Sequence, residues 1–240
     1  MTSKQMIFRR RSVRSFEERQ VSQDKLDELM EFISGIRRLE PDVRMQITLL
    51  EPSQMTTIQK WDAPRFLALF SEEKNLWLEN AGFMLEQIDL YLQCHGMGSC
   101  WVGLGYPQEA LVPKGMKHVI LMPFGYPKDV PERTEVSQFK RKSLAEISDI
   151  PDNRLESVRI APSACNSQPW YFVHEEEMLH VYREELTLLK KRTMNRMNQI
   201  DIGIALAHLY VTYSEKFSFQ QLERVPEKAG YLYIGTVKIS

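Results

Sequence analysis

The chain has 240 residues, 43% of them hydrophobic and 26% charged, with a formal net charge of -1; this describes a globule able to bury one large core or two smaller ones, with no charge excess to draw it to nucleic acid or an anionic membrane. No apolar run reaches the length of a membrane-crossing helix, and the start, MTSKQMIFRRR, lacks the apolar centre of a signal peptide, so a cytoplasmic protein is expected. Cys94, Cys100 and Cys165 are too few and too odd in number for a disulfide framework, and no Cys/His cluster has zinc spacing, so no metal is expected.

In chain order, a basic stretch comes first: Arg9, Arg10, Arg11 and Arg14 surround Ser12, and Phe16 follows. Ser22 is placed to cap a helix with Leu26, Leu29, Met30 and Ile33 on one face, stopping at Gly35. Val43, Met45, Ile47 and Leu49 alternate with polar residues, as in a half-buried strand. Residues 51–75, punctuated by Pro52 and Pro64, read as irregular. A long helix is expected from Trp77 to Cys94, ending in the Gly-rich run GMGSCWVGLG. The apolar run His118–Met122, closed by Pro123 and Gly125, suits a central strand.

Residues 126–140 are polar and proline-bearing, the best linker in the chain. Beyond them the chain repeats its first plan. Arg141-Lys142-Ser143 echoes the early arginine motif, and a capped helix near Asp152 echoes the one near Ser22. Strands at Trp170–Val173 and Met178–Tyr182, a helix from Asn198 to Tyr213 and a run at Tyr231–Gly235 complete it. Two halves are therefore expected, 1–130 and 140–240, related by duplication.

Between Ala161 and Trp170 lies APSACNSQPW, bracketed by Pro162 and Pro169. Each proline removes a backbone donor and moves the preceding residue away from helical geometry. Small and amide-bearing side chains between them leave room for a flat polar ligand, although Pro, Ser and Asn also favour a plain helix-to-strand turn. Guanidinium forks match phosphate oxygens, yet a basic start is also a common solvated surface. The Gly-rich run comes after a helix rather than a strand, so it is no dinucleotide fingerprint; it suits close backbone approach to a ligand, or a helix C-cap. Cys165 is a thiol inside the key loop, with no His at a spacing that would activate it.

RRRSVRSF, GMGSCWVG and PSACNSQPW, in this order, resemble the FMN-dependent nitroreductase family. The likeness covers most of the chain in plan, with motif matches confined to these three stretches. In ordinary members the PSACN-type loop comes early, where this chain reads Gly35-Ile-Arg-Arg-Leu-Glu-Pro41; here it lies in the second half. The chain thus resembles the branch in which two nitroreductase-like halves are fused and diverged. The resemblance implies an α+β nitroreductase-like FMN fold, duplicated as two halves with mixed sheets flanked by helices, a pseudo-dimer in one chain.

By position, the resemblance gives Arg10 and Ser12, with Arg11 beside them, to the FMN phosphate and ribityl chain, and Arg14 to the N1/O2 edge of the flavin. Gly98, Trp101 and Gly103 belong to the Gly-rich loop, with the Gly103 backbone N–H toward N5. Pro162, Ser163, Ala164, Asn166 and Gln168 would line the other side of the ring, the last two offering amide hydrogen bonds. No catalytic side chain is required, since N5 and solvent handle hydride and proton. The activity implied is hydride transfer from NAD(P)H to a nitroaromatic, quinone or similar small acceptor; the alternative is a flavin-binding or sequestration module without turnover. The complementary site would set Arg141–Ser143 against Gly35–Pro41, where Arg37, Arg38 and Glu40 are too bulky for a ring. One FMN per chain is therefore expected, in a monomer that completes its own site, with a higher oligomer still open.

Overall fold

Helices α1 (Ser3–Ile7) and α2 (Gln23–Ser34) lead into strands β1 (Met45–Leu50), β2 (Met55–Thr57) and β3 (Arg65–Ser71), helix α3 (Trp77–Cys94), and strands β4 (Gly98–Ser99), β5 (Gly105–Pro107) and β6 (Lys117–Gly125). Short helices α4 (Leu144–Ile147) and α5 (Glu156–Arg159) precede β7 (Trp170–Glu175), β8 (Met178–Glu184), the long α6 (Leu188–Tyr213), β9 (Ser218–Gln220) and β10 (Tyr231–Lys238). The computed structural model describes residues 1–57, 62–128 and 133–239.

The fold is α+β. One four-stranded sheet runs β1-β3-β6-β4, the other β7-β8-β10-β9, and β2 pairs with β5 outside them. Leaving that pair aside, each sheet is made in the same way: two strands, a long helix, then two more strands, ordered first, second, fourth, third. Mixed sheets were expected, but every ladder is antiparallel, and the parallel pairing is the isolated bridge Ser148–Phe172. A parallel neighbour needs a crossover connection. Here β7 instead turns straight into β8 through Glu176, whose φ of 52° closes a tight hairpin.

Residues 51–75 are not irregular throughout. The run Phe66–Phe70 is buried and forms the body of β3, paired to β1 on one edge and β6 on the other. Leu67 and Leu69 join the main core with the long helices, while Phe66, Ala68 and Phe70 join Phe16, Val102 and Leu121 on the opposite face. With both faces covered, the strand shows no polar alternation to read. Residues 58–61 lie outside the described residues.

The main core is organised by the crossing of α3 and α6. Both helices are buried on nearly all sides where they meet, with Glu79, Asn80, Glu86, Asn198, Asp201 and His208 among the buried residues. Gly82 and Gly203 bring them together: a methyl on Gly82 would lie 2.0 Å from the Ile200 carbonyl oxygen, and one on Gly203 would lie 1.8 Å from that of Glu79. Each glycine faces the carbonyl three residues before the other glycine, so the contact is reciprocal.

The expected linker, residues 126–140, is strapped to the arginine segment. Glu17 N–H donates to Tyr126 O at 2.8 Å, Arg133 N–H to Arg9 O at 3.0 Å, and Phe139 is buried. Residues 129–132 of that stretch lie outside the described residues. Ser22 occupies the N-cap of α2 but its side chain makes no capping bond, whereas Asp152 caps the turn before α5 by accepting from Arg154 N–H. Helix α6 begins ten residues before the expected Asn198, at Leu188.

Candidate functional site

The arginine motif is tied down on its inner side. Arg10 is buried, donating from Nε to Asp89 Oδ2 at 2.6 Å with Glu86 Oε1 at 3.6 Å. Asp89 also accepts from Ser99 Oγ and from Gln93 Nε2, and Glu86 meets His208 Nε2 at 2.9 Å. Burial opposes the charge on Arg10, but Asp89 and Glu86 hold it firmly protonated. Expected at a phosphate, Arg10 braces α3 and also lines a basic cavity, its buried Nη2 having no partner among the described residues. Val13 N–H donates to Ser99 O at 2.8 Å, and its side chain fills the space a methyl on Gly98 would need. Gly98 therefore seats the arginine segment on β4 and does not line the cleft.

Beyond Val13, Ser12 and Arg14 face a cleft of about 180 Å³. Cys100, Trp101 and Gly103 form one wall, Pro162, Ser163, Ala164 and Cys165 a second, and Met197, Ile200, Asp201 and Ile204 a third. The third wall is a single stripe of α6, at the i, i+3, i+4, i+7 spacing of one helix face. Trp101 Nε1 is buried with no partner among protein groups.

The proline-bracketed loop is held in a demanding shape. Cys165, Asn166 and Gln168 have φ of 51°, 55° and 47°, a left-handed conformation that non-glycine residues adopt only when their surroundings fix it. Ala164 N–H donates to Asp201 Oδ1 at 3.0 Å and Gln168 N–H to Ser163 Oγ at 3.0 Å. Asn166 donates to Lys140 O and accepts from Arg141 at 2.6 Å; Gln168, itself buried, accepts from Lys142 N–H and donates to Asn166 O. Both amides, expected to meet a ring, are occupied in holding the loop. Asn166 lines a cavity at the cleft's mouth and Gln168 neither space.

That second cavity shares Ser12, Arg14, Pro162, Ser163 and Cys165 with the cleft and continues outward among Arg11, Arg133, Lys140 and Arg141. No carboxylate lines it among the described residues. Burial, followed by the charges of Arg10, Arg133 and Arg159, pushes the Arg141 guanidinium down to about 10, and burial with Arg10 and Arg11 lowers Arg133. Buried and half-buried cations with no lining carboxylate among the described residues give the cavity a positive character.

Arg141 was expected at the opposite site, facing Gly35–Pro41. It lies instead beside the key loop, donating to Ala161 O at 3.0 Å. Near Gly35–Pro41 the Arg37 guanidinium stacks over Tyr210 and Phe217 at 5.0 and 5.6 Å and donates to Phe217 O, beside an open cavity lined by Ile36, Arg37, Arg38, Leu39, Pro41, Phe217 and Phe219. There Leu39 N–H donates to Asn80 Oδ1 at 2.8 Å, as Ala164 does to Asp201. Asn80 and Asp201 each stand two residues before the crossing glycine of their helix.

The profile of the family described as "Putative TM nitroreductase" matches residues 2–213. The chain belongs to this nitroreductase-like family. The solved structure of a protein described as a "putative nitroreductase" from Thermotoga maritima aligns at a TM-score of 0.70 and 22% identity, over 100% of this chain and 94% of that one. A nitroreductase family protein from Clostridium difficile aligns at 0.50 and 18%, over 61% of this chain and 95% of that one. At such identities these likenesses concern the fold. No curated protein matches the sequence. Among the described residues of this nitroreductase-like chain, no helix is long and apolar enough to cross a membrane, and no group of His, Cys, Asp and Glu could hold a metal ion.

Sequence reading located two of the three walls and the basic motif. It missed Arg133, Lys140 and the true place of Arg141, although Lys140-Arg-Lys is a visible basic run. It missed the α6 wall as well, where the signal is an acid inside an apolar helix, Ile200-Asp-Ile-Gly-Ile204.

Proposed function

We propose that this chain is an FMN-dependent oxidoreductase that takes reducing equivalents from NAD(P)H and passes them to a nitroaromatic, quinone or similar flat acceptor. The observation that carries the reading is the continuity of a largely apolar, flat-walled cleft with a pocket of mutually repelling cations. One end suits an aromatic ring system and the other a phosphate dianion. FMN bound there would supply two-electron transfer between the nicotinamide and the acceptor.

In this reading Arg11, Arg133, Lys140 and Arg141 hold the phosphate, with Ser12 giving a hydroxyl and Arg10 Nη2 one further donor. Arg14, lining both spaces, puts positive charge beside the ring, which favours its reduced state electrostatically. Trp101 and the Gly103 backbone close one face, and Pro162, Ser163, Ala164 and the α6 stripe close the other. A side chain at position 103 would begin 3.1 Å from Met197 Sδ, so glycine keeps that side thin. The same strand order in both sheets and the reciprocal glycines support two fused nitroreductase-like halves, 1–130 and 140–240, around one site. Arg37 over Tyr210 and Phe217 supports loss of the second.

Anaerobic titration tests turnover. Purified protein reconstituted with FMN should lose its yellow colour on NADH or NADPH and recover it with a quinone. Tight FMN binding with neither donor able to reduce it would instead leave a sequestration module.

A further inference from the structure

Asp201 is the one acid among the described residues that line the cleft, and it is buried. Its Oδ1 accepts Ala164 N–H at 3.0 Å, and Ser167 Oγ lies 3.4 Å from its Oδ2 and 3.3 Å from Asn198 Oδ1. Ser167 has one proton to give to Asn198 or to Asp201, and a neutral carboxyl can supply the proton that the other contact needs. At the matched position of α3, Asn80 accepts Leu39 N–H at 2.8 Å and Glu40 N–H at 3.3 Å. An amide thus does the same holding without ever ionising. The ionisable acid lines its cleft, whereas the amide does not line the cavity beside Arg37.

We infer that Asp201 is a positioning residue of the ring slot: its neutral carboxyl pins the Ala164–Ser167 turn against α6, and its ionisation releases the turn and loosens the slot's hold on its ligand. The identity of that ligand rests on the proposed flavin function; the hold on the turn rests on the geometry alone.

Burial pushes the Asp201 carboxyl up to about 8, against smaller opposing pulls from Ala164 N–H and the Ser167 hydroxyl. Its surroundings hold the Cys165 thiol on the turn, with Arg14 and Cys100 across the slot; Glu79, on the crossing helix α3, is itself raised to about 7 by burial. Because the closed turn favours the proton, the proton favours the closed turn. Above pH 8 the carboxylate gains solvation only if the turn lifts and admits water. A ring laid over the slot shields the group further, so FMN affinity falls by up to about tenfold per pH unit in that range.

Asp201→Asn, copying Asn80, keeps an acceptor for Ala164 and removes the titration. The test compares it with the wild-type protein from about pH 6.5 to about pH 9.5, reading two quantities. One is the hydrogen-exchange protection factor of the 164–167 amides without FMN; the other is FMN affinity from fluorescence quenching. In the wild-type protein both should fall through pH 8, in Asp201→Asn both should stay level, and Glu79→Gln should keep the wild-type profile. Cys165, Cys100 and Arg14 are intact in Asp201→Asn, so a pH dependence surviving there belongs to them and overturns the inference. Level protection in the wild-type protein overturns it too. If FMN binds at no pH while protection behaves as described, the flavin reading fails and the hold of Asp201 on the turn stands.

Discussion

Replacing Gly203 by alanine sets two magnitudes against each other at the crossing of α3 and α6. In a free helix the change would stabilise by about 1 kcal/mol, because glycine gives up more backbone entropy. In place, the new methyl would lie 1.8 Å from Glu79 O and 2.7 Å from both Glu79 C and Phe83 N. These are backbone atoms of a buried helix, not the end of a mobile side chain. To reach ordinary contact near 3.5 Å the helices must separate by about 1.5 Å or more. Overpacking usually costs about 1–3 kcal/mol and more where backbone is the obstacle, here about 3–5 kcal/mol, so after the gain of about 1 kcal/mol a net loss of about 2–4 kcal/mol results. In a chain of this size that lowers Tm by roughly 5–15 °C. The shift also carries Ile200, Asp201 and Ile204 away from Trp101 and Arg14, so the slot should lose FMN affinity. Urea unfolding and FMN titration of Gly203→Ala measure both effects. A variant as stable as the parent, or more so, would refute the tight reciprocal crossing.

Arg10→Ala leaves Asp89 and Glu86 buried without their cation and should cost about 3–5 kcal/mol of stability, read by urea unfolding, rather than act mainly on a ligand. Arg141→Ala should weaken FMN by about 10- to 150-fold or more, the worth of one charge-assisted phosphate contact plus the looser Asn166 turn that Arg141 also holds, and riboflavin by much less; an equal loss for both would remove Arg141 from the phosphate pocket. Unfolded Asp and Glu lose their protons near pH 4, whereas Asp201 and Glu79 keep theirs to about 8 and about 7 in the fold. The folded state therefore binds more protons across that window, and both groups' contribution to stability falls as pH rises from about 4 to about 8. For Asp201 the change is on the order of 5 kcal/mol, so Asp201→Asn should have the higher Tm at pH 8.5 and little advantage near pH 4.

Much of the scaffold was legible because its signals are local. The alternation through Met45–Leu49, the capped turn at Asp152 and the apolar stripe of Trp77–Cys94 each arise from neighbouring residues. β3 was hidden because a strand covered on both faces has no alternation, and Pro52 and Pro64 flank it like loop punctuation. The cleft was half legible. Pro162–Ala164 and Gly103 line it as their small size suggested, but whether an amide faces a ligand or its own loop is decided by Lys140, Arg141 and Lys142, far from Asn166 and Gln168 in the chain. Arg10 turned inward for a similar reason: its partners Glu86 and Asp89 come from α3, and no spacing within RRRSVRSF reveals them.

The most direct test of the central claim is the molar ratio of FMN to chain after reconstitution, measured on protein of known sedimentation mass. One FMN per 240-residue chain, retained by the monomer, is the predicted result. Two per chain would mean that the cavity beside Arg37 and Phe217 takes a second flavin, and none would remove the flavin from the cleft altogether.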